Sequence, residues 1–247
     1  MMNENVALDI FSNDFPAVEG GKNVFTLSFQ EYLDNWDKNY RAAVEKLPVF
    51  NNPKVVAEWP LARKKFFVKL LYHARGHFSD FLWYMGNVAP SKKEKDLVLH
   101  NFSEEFGGHA PSHEQLYFYF AKELGVSPEI LMSDDFYLGF LKEFNKGHLD
   151  WLRSNGWEGC LAAYSAYERL DNLDYKNLLT IAQNMKLTTK GLVFFKVHYE
   201  AEHFDVTESA INAIWETHKP QVIASFDFIA NHQIAMWTKF AEYLLES

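Results

Sequence analysis

Cysteine is almost absent. Cys160 stands alone in 247 residues, which removes intramolecular disulfides and thiolate zinc clusters together. Glycine and proline are sparse, at 12 and 8, and alternating Val/Ile/Thr runs closed by Asn-Gly or Asp-Gly turns do not occur, so strands have little support. No run of about 18 apolar residues is present, which gives no membrane span. The stretch from Met1 to Gly21 carries Glu4, Asp9 and Asp14 without a basic start; no signal peptide is read there, and a cytoplasmic protein is expected. Lys/Arg blocks are missing too, and the net charge is −9, which disfavours nucleic acid as a partner. Large rings, by contrast, are plentiful: 22 Phe, 12 Tyr and 7 Trp can fill a wide interior or line a pocket for a small molecule.

Helical spacing recurs along the chain. It predicts helices over 28–47, 60–87, 91–106, 113–124, 134–154, 157–170, 173–185, 189–204, 207–217 and 219–245. Two starts have a visible mechanism: Ser91 and Glu94 form a capping-box pattern, and Ser127 precedes Pro128 at a first helical position. Residues 1–25 read as an irregular N-terminal extension, and no Ser/Pro/Gly-rich linker divides the remainder. The expectation is one all-α domain of about ten helices over 26–247.

Polar residues that continue an apolar stripe are aimed at the core and need a partner there. Glu105 follows Val98 and Phe102 at spacings of four and three. His113 opens a stripe continued by Leu116, Tyr117 and Phe120, and the turn between would bring Glu105 and His113 together. Glu168 shares a face with Trp157, Leu161 and Tyr164. At about 100° per residue, His198, Glu202 and Asp205 fall on the face that carries Gly191, Phe194 and Phe195. Each has a plainer alternative. Glu105 could be a surface charge beside Glu104, His113 a core histidine and Glu168 half of an ion pair; Asp205 could cap the next helix through Asp205-Val-Thr-Glu208.

Taken together, Glu105, His113, Glu168, His198, Glu202 and Asp205 offer four carboxylates and two imidazoles from four helices. Mixed carboxylate and imidazole ligation suits iron or manganese, and pairs of such ions in helical bundles use these ligands. Four ionised carboxylates would balance two divalent ions. His73 and His77, at i and i+4, are better read as pocket wall than as ligands, and His148 as a core histidine. Tyr164 and Tyr167 flank Glu168 as pocket or redox-active candidates, with packing the default role.

These residues resemble the haem-oxygenase-like diiron oxidases and oxygenases, of the CADD-like and UndA-like kind, within the superfamily that includes TenA-type proteins. The resemblance rests on Asn101-Phe-Ser-Glu-Glu105-Phe-Gly-Gly, His113-Glu-Gln-Leu116-Tyr117, the lone Glu168, and Phe194-Phe195 followed by His198-x3-Glu202-x2-Asp205. It spans about residues 65–245 and departs from the family pattern where Glu202 replaces Asp and Asp205 replaces His. It implies a haem-oxygenase-like bundle, two irons, O2 as co-substrate, and oxidative cleavage, decarboxylation or N-oxygenation of a small organic acid or amine. It leaves room for an external electron donor and a homodimer. Two other classes stay open: a metal-free TenA-like hydrolase, for which Cys160 would need a base beside it, and a binding protein that lost catalysis.

Overall fold

A computed structural model describes residues 23–108, 110–200 and 203–246, with the side chains of residues 104, 203 and 206 also outside the description. The described residues are all-helical. In chain order the helices are α1 (Phe29–Val44), α2 (Pro48–Asn51), α3 (Leu61–Arg75), α4 (Phe78–Val88), α5 (Lys92–Phe106), α6 (His113–Glu123), α7 (Pro128–Leu131), α8 (Gly139–Ser154), α9 (Trp157–Asn184), α10 (Val193–Glu200) and α11 (His203–Glu246). No described helix is long and apolar enough to cross a membrane. Of the N-terminal extension, the described end forms a short 3-10 turn, Val24–Thr26.

Local chemistry sets the ends. Ser28 accepts from the Glu31 amide while the Glu31 carboxylate accepts from the Ser28 amide, closing a capping box at α1. Ser112 and Gln115 do the same for α6. Ser91 caps α5 and its hydroxyl donates to Glu94. α5 stops at Gly107, whose φ of 79° is left-handed, and a β-carbon there would sit 2.6 Å from the Ser112 amide nitrogen. Only glycine fits so tight a reversal.

The helix α9 runs through the middle. Gly159, Ala162, Ala163, Ser165 and Ala166 keep its surface flat, so neighbouring backbones approach closely; Ser225 of α11 donates to the Gly159 carbonyl at 2.9 Å. α9 packs chiefly against α11, then α10.

The largest differences from the sequence reading are one division and two joins. The single helix over 60–87 breaks at Gly76 and His77 into α3 and α4. The helices at 157–170 and 173–185 are one, because Asp171 and Asp174 point inward to Arg75 rather than marking a loop. The helices at 207–217 and 219–245 run together across a kink at His218, where Pro220 removes a donor.

Candidate metal centre

A cavity of about 470 Å³ opens between the α3–α4 junction, the end of α5, the start of α6, the middle of α9 and α10. On its wall, Glu105, His113 and His198 each offer a ligand atom within 4.8 Å of the other two. Glu105 is the last turn of α5 and His113 the first residue of α6, so the Gly107 reversal brings them face to face. His113 Nδ1 lies 2.8 Å from Glu105 Oε1. The His113 and His198 ring centroids are 4.2 Å apart.

His198 is held by its own helix and by a clamp upstream. Its Nδ1 donates to the Phe194 carbonyl at 2.7 Å, which keeps the ring lone pair on Nε2. Tyr175 of α9 stacks on the ring, 4.2 Å between centroids and 18° from parallel. Ahead of α10, the Thr188 amide donates to Glu123 Oε2 at 2.8 Å and the Thr188 hydroxyl bonds the other oxygen. A β-carbon on Gly191 would meet the Glu123 carboxyl carbon at 2.7 Å. Burial works upward on Glu123, but these hydrogen bonds from Thr188 and Gly191 outweigh it and hold the carboxyl below its usual range.

Another part of the wall is an ionic network. Arg75 Nη1 donates to Asp171 Oδ1 at 2.7 Å and to Tyr167 Oη at 3.0 Å, and Nη2 donates to Asp174 Oδ2 at 3.0 Å. Tyr40 donates to Asp174 Oδ1, and Gln233 and Trp237 donate to its Oδ2. Burial pushes Asp171 up to about 7 against the pull of Arg75, with Asp174 and Glu105 adding to the rise. Burial also raises Tyr167 and Tyr175.

The six residues singled out in the sequence therefore divide. Glu105, His113 and His198 meet. Glu168 is 3% exposed, as its stripe required, but its Oε1 accepts from Asn101 Nδ2 at 2.7 Å and it is not part of the three-residue cluster. Glu202 lies outside the described residues. Asp205 is exposed in the first turn of α11 and lines a separate cleft with Arg169, Lys176 and Tyr199. It does not line the cavity beside the triad. Residues 201 and 202, between it and His198, lie outside the described residues.

Among the secondary candidates, Tyr167 lines the cavity, while Tyr164 is sealed against Phe78 and Phe81. His73 and His77 stack on Tyr137 instead of joining the triad, and burial lowers His73. Cys160 is buried with its thiol directed at the Leu152 carbonyl, and burial pushes it up to about 11, far from a reactive thiolate. The sequence reading missed Arg75, Asp171 and Asp174. Their signal was present: residues 164, 167, 171, 174 and 178 continue one stripe at spacings of three and four.

Residues 65–223 match a family profile described as an iron-containing redox enzyme. No curated protein matches in sequence. Among solved structures, a domain of unknown function with a haem-oxygenase-like fold from Shewanella denitrificans OS217 is similar at TM-score 0.69 and 14% identity, covering 90% of this chain and 93% of that one. A TenA homologue from P. horikoshii OT3 is similar at TM-score 0.62 and 13% identity, covering 89% and 99%. Likenesses at such identities bear on the fold alone, and the fold is haem-oxygenase-like.

Proposed function

Because the chain belongs to the family of iron-containing redox enzymes, we propose that it is an O2-dependent non-haem oxidoreductase whose iron is held by Glu105, His113 and His198 and whose substrate is a small organic molecule seated in the adjoining cavity. One observation carries this reading: two imidazoles and a carboxylate from three helices converge at the edge of a cavity of about 470 Å³. Two histidines and one carboxylate with open space beside them fit ferrous iron better than structural zinc. Bound there, iron would supply the one-electron and O2 chemistry that no side chain provides.

The chain's own residues do the rest. The Phe194 carbonyl fixes the His198 tautomer and Tyr175 fixes its ring plane. The hydrogen bond between His113 Nδ1 and Glu105 Oε1 holds the two groups side by side, as ligands to one cation would need to be. Phe78, Tyr117 and Phe194 line the cavity and limit water around a reacting substrate. Asp171, tied to Arg75, presents a fixed carboxylate to the same cavity.

The dinuclear form of the proposal adds a second iron, with Glu168 and Glu202 as its remaining candidates. Asp205 faces another cleft, so this second iron binds more weakly than the first. Anaerobic Fe(II) titration of the full chain tests both parts. One tight equivalent is expected, followed by a weaker one, and His198→Ala should weaken the tight step roughly 100-fold or more. Tight uptake unaltered in His198→Ala would overturn the assignment.

A further inference from the structure

The charged groups of the cavity wall say which end of a substrate it receives. The charged side chains lining the cavity, apart from the two histidines, are Arg75, Glu105, Glu114 and Asp171. Arg75 is the one cation among them, and it is spent. Its side chain is 6% exposed, and its two Nη atoms already donate to Asp171, Asp174 and Tyr167. Its Nε is buried without a hydrogen-bond partner and offers no surface to a ligand. Among the described residues, a carboxylate entering the cavity therefore finds no unengaged guanidinium or ammonium to meet it.

The balance on the other side is anionic. Asp174 accepts four donors, from Tyr40, Arg75, Gln233 and Trp237, which matches the full acceptor capacity of an ionised carboxylate. One guanidinium thus serves two carboxylates. Asp174 is wholly enclosed, whereas the Asp171 side chain keeps 12% of its surface and lines the cavity. The same cavity is lined by the rings of Tyr72, Phe78, Tyr117, Tyr167 and Tyr175. An anchored carboxylate in a cavity lined by rings is an environment for an alkylammonium group, which can gain an ion pair and ring-face attraction at once.

We infer that the cavity binds a substrate bearing a cationic amine, with the ammonium directed to Asp171 and the apolar remainder among the rings. This rests on the proposed function only in taking the cavity as the substrate site. Arg75 is then a positioning residue, holding Asp171 in place.

The test compares three probes of similar size on the full chain by titration calorimetry: 2-phenylethylamine, 2-phenylethanol and 3-phenylpropionate. It is run on metal-free and on Zn(II)-loaded protein, because a carboxylate could otherwise gain affinity by ligating the metal. The amine should bind at least tenfold tighter than the alcohol, and the propionate more weakly than the alcohol in the metal-free protein. Asp171→Asn should remove the amine preference in both forms, and Glu114→Gln, at the rim, should keep it. Equal affinities, a preference for the propionate in the metal-free protein, or an amine preference surviving in Asp171→Asn would overturn the inference. The wild-type ranking decides the question even if Asp171→Asn folds poorly. Failure of Zn(II) to bind, with the amine ranking intact, would count against the metal site and leave this inference standing.

Discussion

The described residues include two close pairs of buried histidines that are alike in burial and unlike in their surroundings. His113 and His198 come from α6 and α10, are 7% and 6% exposed, and have ring centroids 4.2 Å apart. His148 and His232 come from α8 and α11, are 5% and 6% exposed, and have centroids 5.0 Å apart. The first pair has Glu105 at 2.8 Å and a cavity beside it. The second is packed among Phe81, Phe144, Tyr167 and Phe228, with His232 Nε2 donating to the Phe144 carbonyl. Among the described residues the one cluster of three ligand-type side chains belongs to the first pair. Burial of imidazole is thus a poor sign of function. A carboxylate within hydrogen-bond reach separates the ligand pair from the two packed rings, since His232 also borders an open cleft with Glu143 and Asp150.

The contrast can be broken in order of effect. Removing a ring from each pair should give opposite results. His198→Ala weakens tight Fe(II) uptake roughly 100-fold or more, whereas His148→Ala leaves uptake within about twofold and destabilises the fold by about 3 kcal/mol, by analogy with other large-to-small core changes. Parallel metal titrations and urea melts of the two variants check this.

Acid should attack the second pair. Burial lowers His148 well below its usual value and His232 to about 4. Above about pH 6.5, the unperturbed histidine value, both folded and unfolded chains hold these rings neutral, and they add no pH dependence. As pH falls below that, the unfolded chain takes up protons that the fold refuses. Stability should therefore drop between about pH 6.5 and 4, by an amount on the order of 3 kcal/mol for His232 alone. Urea midpoints across this range measure it, and His232→Phe should flatten the slope.

A smaller effect is expected at Gly147, where a β-carbon would meet the His232 ring at 2.5 Å. Gly147→Ala should cost about 2 kcal/mol through overpacking, with metal uptake unchanged. The smallest effect falls on Asp205. Exposed in the first turn of α11, it gains from the helix dipole alone, so Asp205→Asn should cost about half a kcal/mol or less and leave iron affinity intact. Loss of an iron in that variant would return Asp205 to the ligand set.

The sequence carried the triad because each of its members obeys a local rule. Glu105 and His113 end and begin amphipathic stripes joined by a glycine reversal, and His198 extends the Phe194–Phe195 face within a single helix. The sequence did not carry Asp205, which lines a different cleft from the triad; residues 201 and 202, between Asp205 and His198, lie outside the described residues. Glu168 shows a different limit: periodicity set its burial, but its direction depends on Asn101, one turn before Glu105 on another helix. The Arg75 network left a stripe in the sequence but no sign of its partner. Asp171, Asn172 and Asp174 look like a polar break until Arg75, nearly 100 residues earlier, is seen to neutralise them inside the fold. The division of 60–87 at Gly76, by contrast, left a mark in the sequence as a glycine in mid-helix.

Anomalous diffraction at the iron edge, on crystals prepared with Fe(II) under anaerobic conditions, tests the central claim most directly. The account expects the strongest peak within bonding distance of Glu105, His113 and His198, with none at His148 and His232. A strongest peak elsewhere, or none at the triad in protein shown to contain iron, would contradict it.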